Sequence, residues 1–304
     1  MGGEGKEEAV DSLRPCSLVP HFVPTCLRAS VPLCYALALA VGLLIFGFPL
    51  YWMVRGALIT QAQWFQLPLQ WWPHHPQLSA FHEIFQSFRM GRVLANTGAV
   101  AVLTMLFNVA FDSMAGFALA KMNAPARGFI YVLLLTTMMV PFEGLMVPLY
   151  LVVTRMGLAN SIAGIVLPGA ANAFCIILMH HFFMGVPDEL IEAARVDGAG
   201  WPRIFFGIAV PLSLPAIATV AVITFLAGWD SFVWPLLITD PQSNFDVLPK
   251  VLAEATFTSM GGAQDIQWPW LMAAALIATV PVLILFILGQ RFFIEGLTRG
   301  AVKG

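Results

Sequence analysis

Long stretches of this chain carry no charge at all, and that restricts what it folds into. Residues 29–54, 93–111, 156–187, 204–229 and 266–290 are uncharged, and 128–154 hold only Glu143. About 20 apolar residues in a helix cross a bilayer core, so these runs are long enough to be spans. In lipid the backbone must satisfy its own hydrogen bonds, which leaves helices or closed barrels. The runs are continuous rather than alternating, so the barrel pattern is absent. Composition agrees. Of the 304 residues 59% are hydrophobic and 11% charged, where a soluble domain has about 25% charged. So few charges do not clothe a water-facing surface. A soluble enzyme, a nucleic-acid binder and a disordered chain are poor readings. The net charge of −2 gives no basic footprint for nucleic acid.

The expected class is therefore an all-α polytopic membrane protein. The expected spans are roughly 31–54, 93–117, 128–143, 161–183, 215–238 and 269–290, six in all. The third is short and carries Pro141 and Pro148, which predicts a helix followed by a re-entrant or surface segment. Six spans put both termini on one side. With the termini inside, ten Lys and Arg residues lie inside and five outside (Arg55, Arg89, Arg92, Arg155 and Lys250), the asymmetry of the positive-inside rule. Residues 1–30 carry acids and prolines and no early apolar core, so they are expected to be a retained cytoplasmic tail rather than a signal peptide. Residues 31–290 are the expected membrane domain and 291–304 a cytoplasmic tail. The four cysteines form no C-x-x-C pair, so neither a zinc site nor a disulfide framework is suggested.

The loop at 185–214, expected inside, is the most informative stretch. Pro187, Asp188 and Glu189 suit a helix start, where acids meet the positive end of the dipole. Gly198 and Gly200 are expected to stop the helix in left-handed conformations. Trp201-Pro202 opens a second helix running to Pro211. The first helix has Leu190, Ile191 and Ala194 on one side and Asp188, Glu192 and Arg195 on the other. Physics leaves two roles open: a knob for a socket on a partner, or an amphipathic helix on the inner leaflet.

Here the chain resembles a family. Glu192-Ala193-Ala194, three residues, Gly198, nine residues, Ile208, one residue, then Val210-Pro211 is similar to the EAA loop of ABC importer permeases, with Val210 where Leu is usual. The C-terminal run from Gln290 to Gly304, the Trp229–Leu236 segment, and Met139-Val-Pro141 through Pro148-Leu-Tyr150 resemble the smaller permease of the maltose-type, carbohydrate-uptake branch. The resemblance covers the chain from about residue 31 and implies the ABC importer type I permease fold. It implies that Glu192, Ala193, Ala194, Asp197, Gly198, Ile208 and Pro211 form a coupling loop docked on an ATPase, and that Gly296, Gly300 and Lys303 reach towards it. It also implies the partners: a second homologous permease, an ATPase dimer holding ATP and Mg, and an extracytoplasmic solute-binding protein delivering a sugar or polyol.

ATP chemistry has no place in this chain. A P-loop needs Gly-x4-Gly-Lys-Ser/Thr, and none of Lys6, Lys121, Lys250 or Lys303 precedes Ser or Thr. His74-His75 and His180-His181 are adjacent pairs, about 100° apart on a helix, so neither makes a zinc face. No catalytic set is expected. Asp112, Glu143 and Asp230 lie in or at the ends of spans, where acids are functional candidates. Asp230 between Trp229 and Trp234 reads first as a hydrogen-bonding group at the Pro235 break, second as part of a solute pathway. Asp112 and Glu143 read as helix-packing or interfacial groups, and the scattered Ser, Thr and Asn as helix–helix glue. The other function class kept open is an ion-coupled transporter or channel, which would need coupling acids near the midplane.

Overall fold

The computed structural model describes residues 25–122, 125–240, 244–257 and 266–301. Every regular element among them is helical. Residues Met1–Tyr51 and Trp52–Gly304 form two units. The first contains most of α1 (Thr25–Ala57), whose side chains are largely exposed from Tyr35 to Leu50.

In the second unit α2 (Ser79–Ser87) leads into α3 (Met90–Lys121), a 32-residue helix. Then follow α4 (Arg127–Thr137), α5 (Phe142–Arg155), α6 (Ile162–Val166) and α7 (Ala173–Met184). A short helix α8 (Asp188–Val196) precedes α9 (Trp201–Leu212) and α10 (Leu214–Trp229). The chain closes with α11 (Val233–Ile238), α12 (Leu248–Phe257) and α13 (Trp268–Ala301).

Three helices are unbroken and long enough to cross a membrane: Tyr35–Ala57 of α1, all of α3, and Trp268–Gln290 of α13. Three bent pairs bring the total to up to six: α4 with α5 at 102°, α6 and the turn after it with α7 at 48°, and α9 with α10 at 84°. Each bend has a local cause. Pro141 stands before α5 in extended conformation and biases Val140 away from the helix. Pro168 lies in the tight turn Leu167–Gly169, and Asn172 is extended as the N-cap of α7. Ser213 separates α9 from α10, with Pro215 in the first turn beyond it.

Two expectations are corrected here. The span expected at 161–183 is a bent pair rather than one straight helix. The span expected at 215–238 stops at Trp229, and α11 restarts at Val233. Pro235 needs no hydrogen bond in the first turn of a helix, so it sits in α11 and not within a continuous span.

At the centre, α3 packs against both α7 and α10. Both contacts need glycine. A Cβ on Gly116 would stand 2.7 Å from Met179 Cβ and 2.8 Å from the His180 nitrogen, and one on Gly228 would stand 2.8 Å from Ala101 Cα. Beyond Ile238, Lys250 is fully buried and donates to Thr239 O at 3.1 Å, Thr239 Oγ1 at 2.9 Å and Asp246 Oδ1 at 2.8 Å. Asn160 bonds both the Asp240 carboxylate and its amide at 2.6 Å, tying the α5–α6 connection to the same turn.

Overpacking a rigid contact costs about 1–3 kcal/mol. Gly116→Val is therefore expected to lower the midpoint of thermal unfolding in detergent. Gly98, also in α3, has open space around its Cβ position, so Gly98→Ala should leave the midpoint unchanged or raise it. Equal effects of the two would show that the α3–α7 contact is not tight.

Candidate functional site

Besides the Lys250 cluster, polar groups gather at the connection from α7 to α9 and at a cavity beside α3. At the first, Pro187 stands at the N-cap and Asp188 and Glu189 fill the first turn of α8. The helix ends in a Schellman cap: Gly198 N–H donates to Arg195 O at 3.0 Å and Ala199 N–H to Ala194 O at 2.9 Å. Gly198 has φ +79, the left-handed region that favours glycine. Gly200 has φ −74 and ψ 162. It does not stop α8, as the sequence reading expected, but stands at the N-cap of α9.

Ile191 is buried and Ala194 half-buried, whereas Leu190 is 45% and Val196 87% exposed. Leu190, one turn before Ala194 on the same face, is left exposed at its edge while Ile191 is buried. Glu192, Ala193, Asp197 and Gly198 are exposed on this helix and its cap. Ile208 is half-buried and Pro211 exposed on α9. Gly296 and Gly300 fall on the last turns of α13, and Lys303 lies outside the described residues.

The last residue of α3 holds α8 in place. The Lys121 side chain is 5% exposed, and Nζ donates to Val186 O at 2.7 Å and to Asp188 Oδ1 at 2.6 Å. Beneath α8, Phe117 of α3 meets Phe183, Phe205 and Trp201 at centroid distances of 5.5, 5.3 and 6.1 Å. The Arg195 guanidinium lies over Trp201 at 5.2 Å, a cation–π arrangement. Sequence reasoning counted Lys121 only as an inner charge. Its position at the end of the longest internal helix was the available signal.

The cavity has a volume of about 190 Å³. Its wall takes Val100, Thr104 and Asn108 from α3, and Gly169 and Asn172 from the α6–α7 bend. Gly228, Ser231 and Trp234 close it from the α10–α11 side. Asn108 Nδ2 donates to Thr104 O at 2.9 Å and to Gly169 O at 2.7 Å. Asn172 Oδ1 accepts from the Phe174 and Cys175 amides at 2.9 and 3.4 Å. Behind Asn172, fully buried Asp112 accepts its backbone N–H at 2.9 Å, and Asp112 Oδ2 has no partner among the described residues.

The structure separates the three residues expected along a solute pathway. Trp229 is buried against α13, its Nε1 donating to Ala278 O at 3.1 Å. Asp230 is exposed just past the end of α10. Only Trp234 lines the cavity, its Nε1 donating to Gly164 O at 3.0 Å. The chain leaves the helix at Asp230, so helical spacing no longer relates these three. Asn108 and Asn172 were passed over as interhelical glue, and their position in uncharged runs was the missed signal. Glu143 is exposed in the first turn of α5. Tyr131 Oη lies 3.2 Å from His181 Nε2.

The chain is similar to known proteins over most of its length. Residues 112–299 match the family described as binding-protein-dependent transport system inner membrane component. The arabinooligosaccharides transport system permease protein AraQ of Halalkalibacterium halodurans is 36% identical over 209 residues, covering 69% of this chain and 73% of the relative. The sn-glycerol-3-phosphate transport system permease protein UgpE of Yersinia pestis is 33% identical over 265 residues, covering 85% and 93%. A chain of a bacterial ABC transporter involved in import of the acidic polysaccharide alginate superposes with a TM-score of 0.78 at 21% identity, covering 90% of this chain and 99% of that one. The fold is that of this transporter chain.

Replacing Lys121 leaves the Val186 carbonyl and Asp188 without their cation. Lys121→Met is expected to speed hydrogen exchange in α8 about fivefold, the factor carried by one net hydrogen bond of about 1 kcal/mol. Lys121→Arg should restore part of it. Unchanged exchange in the Met variant would show that α8 stands without this clamp.

Proposed function

The chain belongs to the family of binding-protein-dependent transport system inner membrane components, and on that premise we propose that it is a permease subunit of an ATP-binding-cassette importer for a sugar or related polyol. The observation that carries this reading is α8. It is a nine-residue helix, clamped at one end by Lys121, capped at the other by Gly198, and presenting Glu192, Ala193 and Asp197 outward. Such a helix suits docking into a cleft of an ATPase subunit. The relatives' names support a polyhydroxylated solute and leave two chemistries, an uncharged oligosaccharide and a polyol phosphate. The ion-coupled alternative is set aside, because this family depends on a binding protein.

In this reading residues 31–290 form the domain that crosses the inner membrane, 185–214 the coupling loop, and 1–30 and 291–304 cytoplasmic tails. ATP hydrolysis resides in an ATPase dimer. One chain supplies one coupling helix, so a second, homologous permease completes the complex, and an extracytoplasmic binding protein delivers the solute. Gly296, Gly300 and Lys303 extend towards the ATPase.

Accessibility labelling of single cysteines at Gln77 and Ala199 is expected to report opposite sides of the membrane. The same side for both would overturn the orientation. For coupling, Gly198→Val places a β-branched residue at φ +79, at a cost of about 1–2 kcal/mol, and Glu192→Ala removes an exposed charge from the docking face. Both are expected to leave the chain in the membrane and abolish uptake, measured with membrane level and co-purified ATPase on one preparation. Normal uptake in both would mean that α8 is a surface helix only. Loss of the chain from the membrane would mean that the loop serves folding.

A further inference from the structure

The cavity beside α3 carries hydrogen-bonding atoms that the fold does not use. Both Asn108 amide hydrogens go to backbone carbonyls, which leaves Oδ1 as an acceptor. Asn172 spends its Oδ1 on the start of α7, which leaves its NH2 as donors. The hydroxyls of Thr104 and Ser231 also line the cavity, and neither has a hydrogen-bond partner among the described residues. One side chain therefore offers an acceptor, another offers donors, and two hydroxyls offer both. A solute hydroxyl both donates and accepts, so it matches this mixture. A phosphate or carboxylate ion only accepts and is opposed by Asn108 Oδ1.

Charge points the same way. No Arg, Lys or His lines the cavity. The N-terminus of α7 opens onto it, a position that ordinarily attracts anions. Here three of the amides at that end are already taken. Asn172 N–H goes to Asp112, and the Phe174 and Cys175 amides go to Asn172 Oδ1. Trp234, with Phe142 edge-on at 6.2 Å, adds an aromatic wall for the C–H face of a sugar. The volume of about 190 Å³ is below the 300–1,000 Å³ of drug-sized sites, so one sugar residue or short polyol fits at a time.

We propose that this cavity is a solute-contact site of this subunit, that it takes one uncharged polyhydroxylated unit, and that it rejects units bearing phosphate or carboxylate. The site rests on the transport reading above and narrows its substrate class.

The test uses the complete complex, with partner permease, ATPase and binding protein, in proteoliposomes. ATP hydrolysis is measured with arabinobiose, maltotriose and glycerol, and with sn-glycerol 3-phosphate and glucuronate. An uncharged solute is expected to stimulate. Uptake of that solute is then measured in Thr104→Val and Ser231→Ala, each of which removes one hydroxyl with little change of shape. Transport per ATP hydrolysed is expected to fall about fivefold in each, the factor of one net hydrogen bond, while stimulated hydrolysis persists. If one variant fails to assemble, the other decides. Stimulation by the phosphate or the acid alone would overturn the substrate class and leave the permease reading standing. Full transport of an uncharged solute in both variants would overturn the site. A panel that stimulates no hydrolysis would overturn the transport reading and this site with it.

Discussion

A helix interrupted inside an apolar layer frees backbone groups that water cannot reach, and each must find a partner. The α6–α7 bend meets much of that demand with side chains, beside the backbone bond from Ala170 N–H to Leu167 O. Asn108 covers the Gly169 carbonyl, Asp112 covers the Asn172 amide, and Asn172 covers the next amides of α7. Trp234 covers the Gly164 carbonyl. An uncompensated amide in apolar surroundings costs roughly 2–7 kcal/mol, so these contacts fix where the helix breaks. Two of the partners, Asn108 and Asp112, lie one turn apart on α3. The register of α3 therefore sets the position of the bend, and with it the shape of the cavity.

The same helix carries the connection to α8. Its cavity residues lie around Thr104 and Asn108, its close contact with α7 is at Gly116, and its last residue is Lys121. A helix of 32 residues spans about 48 Å at 1.5 Å per residue. Close packing at Gly116 and against Gly228 leaves little room to slide without repacking. The clamp on α8 and the cavity wall thus share one continuous helix and its two close contacts. Coupling needs a two-state element that both sites bias, and α3 is the element whose position both sites share.

Much of this was legible in the sequence because it depends on local chemistry. Uncharged runs gave the helical membrane class, Pro141 gave the sharp α4–α5 bend, and Gly198 gave the left-handed end of α8. Gly200 was misjudged because a glycine marks permission for a conformation, not its use. The α6–α7 bend was missed because its cause lies partly on another helix: Asp112 and Asn108 belong to α3, and no local spacing links them to Asn172. The Trp229, Asp230 and Trp234 grouping rested on adjacency in sequence, and of the three only Trp234 lines the cavity. Sequence neighbours share a site only while one helix carries them, and α10 ends between them. Val140, Leu190 and Val196 are apolar and exposed. Sequence does not say whether such residues face lipid or a partner.

For α8 the energetics bear on that question. A nine-residue helix is too short to persist on its own, because nucleation is unfavourable and few bonds repay it. Its order here comes from Lys121 at one end, Gly198 at the other and the aromatic cluster beneath Ile191. Burying Leu190 and Val196 against the core would have added to that order, yet both are exposed. Apolar side chains flanked by acids on a rigid, pre-formed helix lower the ordering cost of binding and fit a cleft with an apolar floor and a basic rim. A helix lying on the inner leaflet would instead set cations against the anionic headgroups. The exposed residues of α8 and its cap include Glu192, Arg195 and Asp197, a mixed-charge surface rather than a uniformly basic one.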